Sequence, residues 1–286
     1  MKRSDFRHLD RQRVRWVEVD MQKIVFNGHY LMYLDTAVAG YWPALGLPYH
    51  ETMEHLGGDL FVRKATLEYH ASAEYDDAIE VGVRCEHIGN SSMRFVSGVF
   101  RGEELLVSAE LIYVFADPVA KRALPVPADL RQVLLGFERG EAMVEVRLGP
   151  WDELGREASA IRQPVFVQEQ RIPAEMEWDA ADAECLHAVA CNRLGVALGT
   201  GRLLEHVPGV AKVGRMAVLR SMRGSAVGRT LLEALVSAAR QRGEHEVLLH
   251  AQISAEGFYR RAGFERRGPT FEEAGITHVE MVRRVG

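Results

Sequence analysis

Between residues 117 and 142 the chain changes character, and that stretch limits what the whole can become. Pro118, Pro125 and Pro127 interrupt regular structure, a short helical pattern follows at Leu130–Phe137, and Arg139-Gly140-Glu141 ends it. On either side the hydrophobic pattern resumes with a different rhythm. A chain of 286 residues broken once near its middle reads as two compact domains, 1–138 and 139–286. Each is long enough to bury a core without covalent staples.

Composition narrows the class further. Apolar residues make up 47% and charged residues 26%, the balance of a globular soluble protein. Residues 1–140 carry 16 basic and 20 acidic side chains and the remainder 19 and 20, so neither half is basic enough to call for a nucleic-acid partner. Cys85, Cys185 and Cys191 fit neither a disulfide framework nor a zinc site, and no metal is expected. The opening residues lack the apolar core of a secretion signal, and no run approaches the ~18 apolar residues of a membrane span. A reducing cytoplasm is the expected location.

The first half reads as α+β. Residues 12–19 alternate like a strand, and 28–45 place Tyr30, Leu31, Tyr33, Leu34, Ala37 and Tyr41 at helical spacing. Strand-like runs follow at 61–70, 78–86, 92–101 and 104–116, with a turn at Asn90-Ser91. One long helix wrapped by a meandering antiparallel sheet accounts for this order.

The chemistry of this half concentrates at 13–35. A strand ends at Asp20, and a six-residue loop leads to Asn27-Gly28 at a helix start. A helix start offers unpaired amides and a partial positive charge, suited to a thioester oxygen as it becomes an oxyanion. A nearby carboxylate can attack the carbonyl or activate a water. The same spacing also allows a plainer role, in which Asp20 or Asn27 only caps the helix.

Residues 10–135 resemble the 4-hydroxybenzoyl-CoA-type hotdog thioesterases, through Asp20, Phe26-Asn27 and Tyr30, then Leu67-Glu68-Tyr69 and Tyr75-Asp76-Asp77. The resemblance implies Asp20 as nucleophile or general base, an oxyanion donor near Asn27 and Gly28, and active sites shared across a homodimer or homotetramer. Many relatives have His where this chain has Asn27, so no imidazole acts there; His29 stands two positions on. Arg63 and Lys64 are candidates for meeting the phosphates of coenzyme A or for a solvated strand edge. Tyr33, Trp42 and Tyr49 are candidates for an acyl pocket or for the core.

The second half is mixed. Strand patterns fall at 143–147, 185–191, 194–204, 211–219, 246–251 and 277–284, with helical patterns at 151–170, 226–241 and 254–262. The segment 213–235 reads strand, turn, helix. Amides of the turn Arg223-Gly224-Ser225-Ala226-Val227-Gly228 can wrap a pyrophosphate.

This half resembles the GNAT N-acetyltransferases, whose loop reads Gln/Arg-x-x-Gly-x-Gly/Ala, and whose Phe-Tyr-x-x-x-Gly-Phe helix matches Phe258–Phe264. The resemblance implies a coenzyme A site along Met216, Ala217, Val218 and Arg223–Arg229, and Tyr259 near the departing sulfur as proton donor. Ala226 stands where Gly is usual and is expected to resist a positive φ. Glu169, Glu177 and Asp179 are candidates for recognising a cationic amine or for a solvated acidic face; His187 and His278 are candidate bases or structural histidines. The expectation is a bifunctional enzyme that hydrolyses an acyl-CoA and transfers acetyl from acetyl-CoA to an amine. Coenzyme A species are then substrates, with no permanently bound cofactor. The rival is a non-catalytic acyl-CoA sensor or scaffold.

Overall fold

The computed structural model describes residues 1–286 and divides into two compact units, Met1–Met143 and Val144–Gly286. Residues 139–143 therefore go with the first unit. The helix before them is tied there too: the Glu138 carboxylate accepts the Cys85 amide at 3.0 Å and the Tyr41 hydroxyl.

The first unit carries β1 (His8–Arg13), helix α1 (His29–Ala44), α2 (Tyr49–Leu56), β2 (Asp59–Tyr69), β3 (Ala78–Ile88), β4 (Ser92–Arg101), β5 (Glu104–Asp117), the two-residue β6 (Arg122–Ala123) and α3 (Ala128–Glu138). The sheet order is β1-β3-β4-β5-β2, with every pairing antiparallel and β6 added to β5. Alternate residues Ile79, Val81, Val83 and Cys85 of β3 are buried. So is a stripe of α1 through Tyr30, Tyr33, Leu34, Ala37, Val38, Tyr41 and Trp42, the spacing that turns one helical face to a sheet. This is the long helix wrapped by an antiparallel sheet expected for a hotdog.

Of the strand expected over 12–19 only residues 12 and 13 are present, as the end of β1. β1 ends at Arg13, and Trp16–Glu18 form a 3-10 turn. The cause is Glu18. Its carboxylate, 2% exposed, accepts the Arg15 amide and the Tyr33 hydroxyl, each at 2.7 Å. Burial alone pushes the Glu18 carboxyl up, but these bonds and the Arg15 guanidinium outweigh it and hold it below its ordinary value. A charge so satisfied pulls the backbone inward, and Trp16 and Val17 are left exposed.

The second unit carries β7 (Val144–Gly149), α4 (Trp151–Arg162) continued by a π-helical turn at Gln163–Glu169, α5 (Ala174–Glu177), β8 (Leu186–Asn192), β9 (Ala197–Val207), β10 (Val210–Val218), α6 (Val227–Gln241), β11 (Glu246–Gln252), α7 (Glu256–Arg261), β12 (Glu265–Glu273) and β13 (Ile276–Arg284). The order is β12-β13-β11-β10-β9-β8-β7, antiparallel except for the β10–β11 pair, so the sheet is mixed. Leu231, Leu235 and Ala238 of α6 pack into a core with Ala211, Val213, Val247 and Leu249.

One irregularity positions the site. β10 and β11 pair only as far as Val213 and Leu249, although β10 runs on to Val218 and β11 to Gln252. On its other side β10 breaks register with β9 between Gly214 and Ala217, where Arg215 takes a φ of +51°. A bulge there bends the strand away from its parallel neighbour, and the two central strands splay.

Candidate functional site

In the first unit Asp20 opens a tight turn. Its carbonyl accepts the Lys23 amide at 3.0 Å, its own amide donates to Ile24 at 2.9 Å, and Lys23 is left-handed at φ +67°. Its Oδ1 accepts the Gln22 amide at 2.7 Å. Asp20 is partly exposed. The capping role is not observed for Asp20 or Asn27: Gly28 is the N-cap of α1, which has no side-chain cap. The His29 amide is taken by the Phe26 carbonyl at 2.8 Å; the next first-turn amides have no acceptor within the helix and remain donors for a ligand. Phe26 lies against Gly28, where a Cβ would stand 3.0 Å from its ring. The Asn27 carbonyl accepts the Tyr69 hydroxyl at 3.1 Å.

The proposed pocket aromatics divide. Tyr33 is bound to Glu18, whereas Trp42 and Tyr49 line a cavity of about 330 Å³ with Asp35, Val38, Phe95 and Tyr113. Arg63 is exposed, and Lys64 lies 3.4 Å from Glu110 on the neighbouring strand. His29 rests its Nδ1 3.2 Å from the Met32 sulfur.

In the second unit the splay of β10 from β11 opens into a cleft of about 700 Å³. Met216, Ala217, Val218, Arg223 and Tyr259 all line it. Gly224–Arg229 lie beyond that lining, in the turn and first residues of α6. Arg223 is held by Glu169 at 2.6 and 2.8 Å and donates to the Val218 carbonyl at 3.2 Å. Ala226, the N-cap of α6, makes no side-chain cap, and the Ser225 hydroxyl lies 3.4 Å from the Val227 amide.

The strain expected at Ala226 is absent. Ala226 has φ −73°, and the left-handed position is Gly224 at +83°. A Cβ at Gly224 would meet nothing within 4 Å, so Ala there is opposed by backbone conformation alone, at about 1–2 kcal/mol. If this turn meets a phosphate, Gly224→Ala is expected to weaken acetyl-CoA binding by up to about 5- to 30-fold, the full equivalent of that cost being reached when the unliganded variant turn relaxes out of the left-handed conformation and must regain it on binding. Ala226→Gly is expected to stay within about threefold of the parent, since no strain is relieved. Calorimetry on both variants checks this; the reverse order would move the critical position to Ala226.

Tyr259 is buried at the ring, packs edge-on against Phe258 and Phe264, and its hydroxyl has no protein partner. Burial pushes the phenol up to about 12, so it keeps its proton at neutral pH.

The acids considered for amine recognition are already neutralised. Glu169 pairs with Arg223, and Glu177 with Arg162 and Arg215. Asp179 binds Arg202 through two 2.7 Å contacts and Arg215 at 3.0 Å. Arg162 is fully buried between the Glu177 and Asp182 carboxylates and the ring of Trp178, 4.6 Å away. His187 is 1% exposed with Nε2 on the Asp182 carbonyl, a structural placement. His278 does line the cleft; its Nδ1 meets the Ile276 carbonyl at 2.7 Å. Lys212, on β10, also lines the cleft and carried no signal in the sequence.

A hotdog unit followed by a mixed-sheet unit with splayed central strands defines a two-domain α+β chain of the thioesterase-like and GNAT classes. Residues 14–134 match the family model described as the thioesterase-like superfamily, and residues 158–285 that described as the acetyltransferase (GNAT) domain. YjcF of Bacillus subtilis, an uncharacterized N-acetyltransferase, is 34% identical over 134 residues, which are 46% of this chain and 94% of YjcF. YyaT of the same organism is 30% identical over 133 residues, 45% of this chain and 88% of YyaT. The chain thus belongs to the GNAT acetyltransferases through its second unit and carries a thioesterase-like hotdog domain in its first.

Solved structures similar to this chain include a thioesterase complexed with coenzyme A and zinc from Thermus thermophilus, 22% identical, covering 48% of this chain and 98% of that one, TM-score 0.42. Another is a 1,4-dihydroxy-2-naphthoyl-CoA thioesterase from Synechocystis, 14% identical, covering 45% and 95%, TM-score 0.41.

Proposed function

We propose that the chain is a bifunctional acyl-coenzyme A enzyme. Its hotdog unit hydrolyses an acyl-CoA thioester, and its GNAT unit transfers acetyl from acetyl-CoA to an amine. The observation that carries this reading is the cleft at the β10–β11 splay with Tyr259, whose hydroxyl has no protein partner, in its lining. Beyond Val213 and Leu249 the facing strand edges no longer bond to one another, which leaves backbone groups for a ligand with amides of its own. In this reading the pantetheine arm of acetyl-CoA lies in the gap, its thioester beside the bulge at Gly214–Ala217. The pyrophosphate meets the turn at Arg223–Gly228, and Tyr259 stands by the leaving sulfur. In the hotdog unit the uncapped start of α1 supplies the oxyanion donors and Asp20 the attacking or activating carboxylate.

The test is a panel of acyl-CoAs with a thiol-detecting reagent, with and without amines. Amine-independent release reports hydrolysis, and amine-dependent release from acetyl-CoA reports transfer. No release in either mode from a chain that binds acetyl-CoA would replace this reading by that of a sensor. No helix of the chain is long and apolar enough to cross a membrane.

The hotdog unit is expected to pair with a second copy. β2 is an edge strand with Phe61, Val62 and Tyr69 exposed. Trp16, Val17, Met21, Phe26, Leu31 and Met32 are exposed near the Asp20 turn and the start of α1. A long apolar edge of this kind invites strand pairing. Light scattering at micromolar concentration is expected to give at least twice the mass of one chain. A monomer with full thioesterase activity would contradict this.

A further inference from the structure

The charges of the GNAT cleft do not all cancel, and what remains describes the acceptor. Each arginine lining it is matched: Arg223 by Glu169, Arg202 by Asp179 and Asp182, Arg215 by Glu177 and Asp179. Lys212 is the exception, with no carboxylate within 4 Å of its ammonium. Its one polar neighbour is His250, across the splay on β11, with Nζ 3.4 Å from Nδ1. That same Nδ1 lies 3.1 Å from Glu273 at the end of β12, and the ring is braced edge-on by Phe271 at 4.8 Å.

A single ring nitrogen cannot serve both neighbours. With the proton on Nδ1, His250 donates to Glu273 and has no lone pair there for Lys212. The ammonium of Lys212 is then left without an acceptor, and Nε2 of His250 is left as a base whose tautomer a carboxylate fixes. The cleft thus sets a cation that touches no carboxylate, with Glu273 and Glu280 acting on it only at longer range, beside a carboxylate-linked imidazole. Those are the complements of a carboxylate and of an ammonium.

We infer that the acceptor is a zwitterion, an amine that also carries a carboxylate, with Lys212 holding the carboxylate and the Glu273–His250 pair taking the proton from the ammonium. This rests on the acetyltransferase reading above and adds the substrate class. The ammonium gives one proton to Nε2 of His250, and the free amine nitrogen bonds to the acetyl carbon. The carbon–sulfur bond breaks as the carbonyl reforms. A second proton leaves nitrogen and ends on the thiol, and the third stays on the amide. Imidazolium then releases its proton to water, so the products are an N-acetyl amino acid, coenzyme A thiol and one proton. Burial lowers the Lys212 pKa, with Glu273 and Glu280 pulling the other way. A carboxylate arriving at Nζ would offset that burial.

The experiment compares matched amines with the full-length chain: alanine with ethylamine, 4-aminobutyrate with propylamine, and phenylalanine with phenethylamine. Amine-dependent release of coenzyme A from acetyl-CoA is followed. At least one carboxylate-bearing member is expected to exceed its partner in kcat/KM by about 10- to 100-fold, the scale of a hydrogen bond to a charged group. Lys212→Met is expected to collapse that ratio toward one, and Lys212→Arg to keep most of it, with acetyl-CoA binding by calorimetry confirming the fold of each. Partners used equally well, a ratio unmoved by Lys212→Met, or acetyl-CoA binding with no release for any carboxylate-bearing amine would each overturn the inference. The first two would leave acetyl transfer itself standing. Failure to bind acetyl-CoA at all would instead remove the reading beneath it.

Discussion

Replacing Asp20 with Ala is expected to lower thioester hydrolysis by at least ~100-fold, the usual scale for a general base. Alone, that variant confounds two roles, because Oδ1 of Asp20 also accepts the Gln22 amide and so shapes the turn that leads into α1. Asp20→Asn separates them. Its amide oxygen can still accept from Gln22, so the turn survives, while the anionic charge needed to attack or to take a proton is gone. Both variants are therefore expected to be similarly inactive, with acyl-CoA binding largely kept. Near-parent turnover in Asp20→Asn would show that only the turn matters and would end the catalytic assignment. Loss in Asp20→Ala with full rescue in Asp20→Asn would say the same.

The contrast between these variants also shows where sequence patterns stop being informative. Helix α1, strands β3 to β5 and helix α6 are legible because each buries one regular face, and regular burial leaves a period in the sequence. The stretch at 14–18 has a strand's alternation, yet it folds as a turn, because the buried carboxylate of Glu18 is matched by Arg15 and by Tyr33 from the helix. Strand β12 has no such period. It is an edge, nearly all exposed, with Gly268 and Pro269 inside a register break against β13. Helix α2 escapes the pattern because only Thr52 and Met53 of its eight residues are buried.

The site divides in the same way. Tyr259 and the turn at Arg223–Gly228 are contiguous in the chain and are legible as motifs. Glu177 and Asp179 are visible as acids, but their partners Arg162, Arg202 and Arg215 come from α4, β9 and β10, and pairing across that separation leaves no local trace. Lys212 acquires meaning only once β10 and β11 are neighbours that diverge.

Tyr259→Phe is expected to lower kcat for acetyl transfer by about 10- to 100-fold while acetyl-CoA binding stays within about twofold. The substitution removes one hydroxyl and keeps the ring that packs between Phe258 and Phe264, so the fold and the cleft wall are retained. The size follows from what the hydroxyl can do. Burial holds its pKa at about 12, whereas an ordinary thiol ionises near ~8.5. Complete transfer from the phenol to a thiolate runs uphill by about 3 to 4 pKa units, so a freestanding tyrosinate is not a favourable intermediate. The hydroxyl acts instead by donating a hydrogen bond to sulfur as charge develops, with the thiol's proton supplied finally by the nitrogen that has lost its own. A hydrogen bond to a charged group contributes about 1.5–3 kcal/mol, which is the predicted loss. The same pKa fixes the pH behaviour. The phenol is protonated throughout the neutral range, so Tyr259 adds no inflection to the rate profile until the pH nears 12. Parent and variant profiles are expected to run parallel, displaced in height. Retained acetyl-CoA binding reports that the GNAT unit is folded, and thioester hydrolysis is expected to be unchanged because the hotdog unit has its own core. Parent-like kcat in the variant would remove the hydroxyl from the reaction, and profiles that differ in shape near neutrality would show Tyr259 acting through a titrating neighbour.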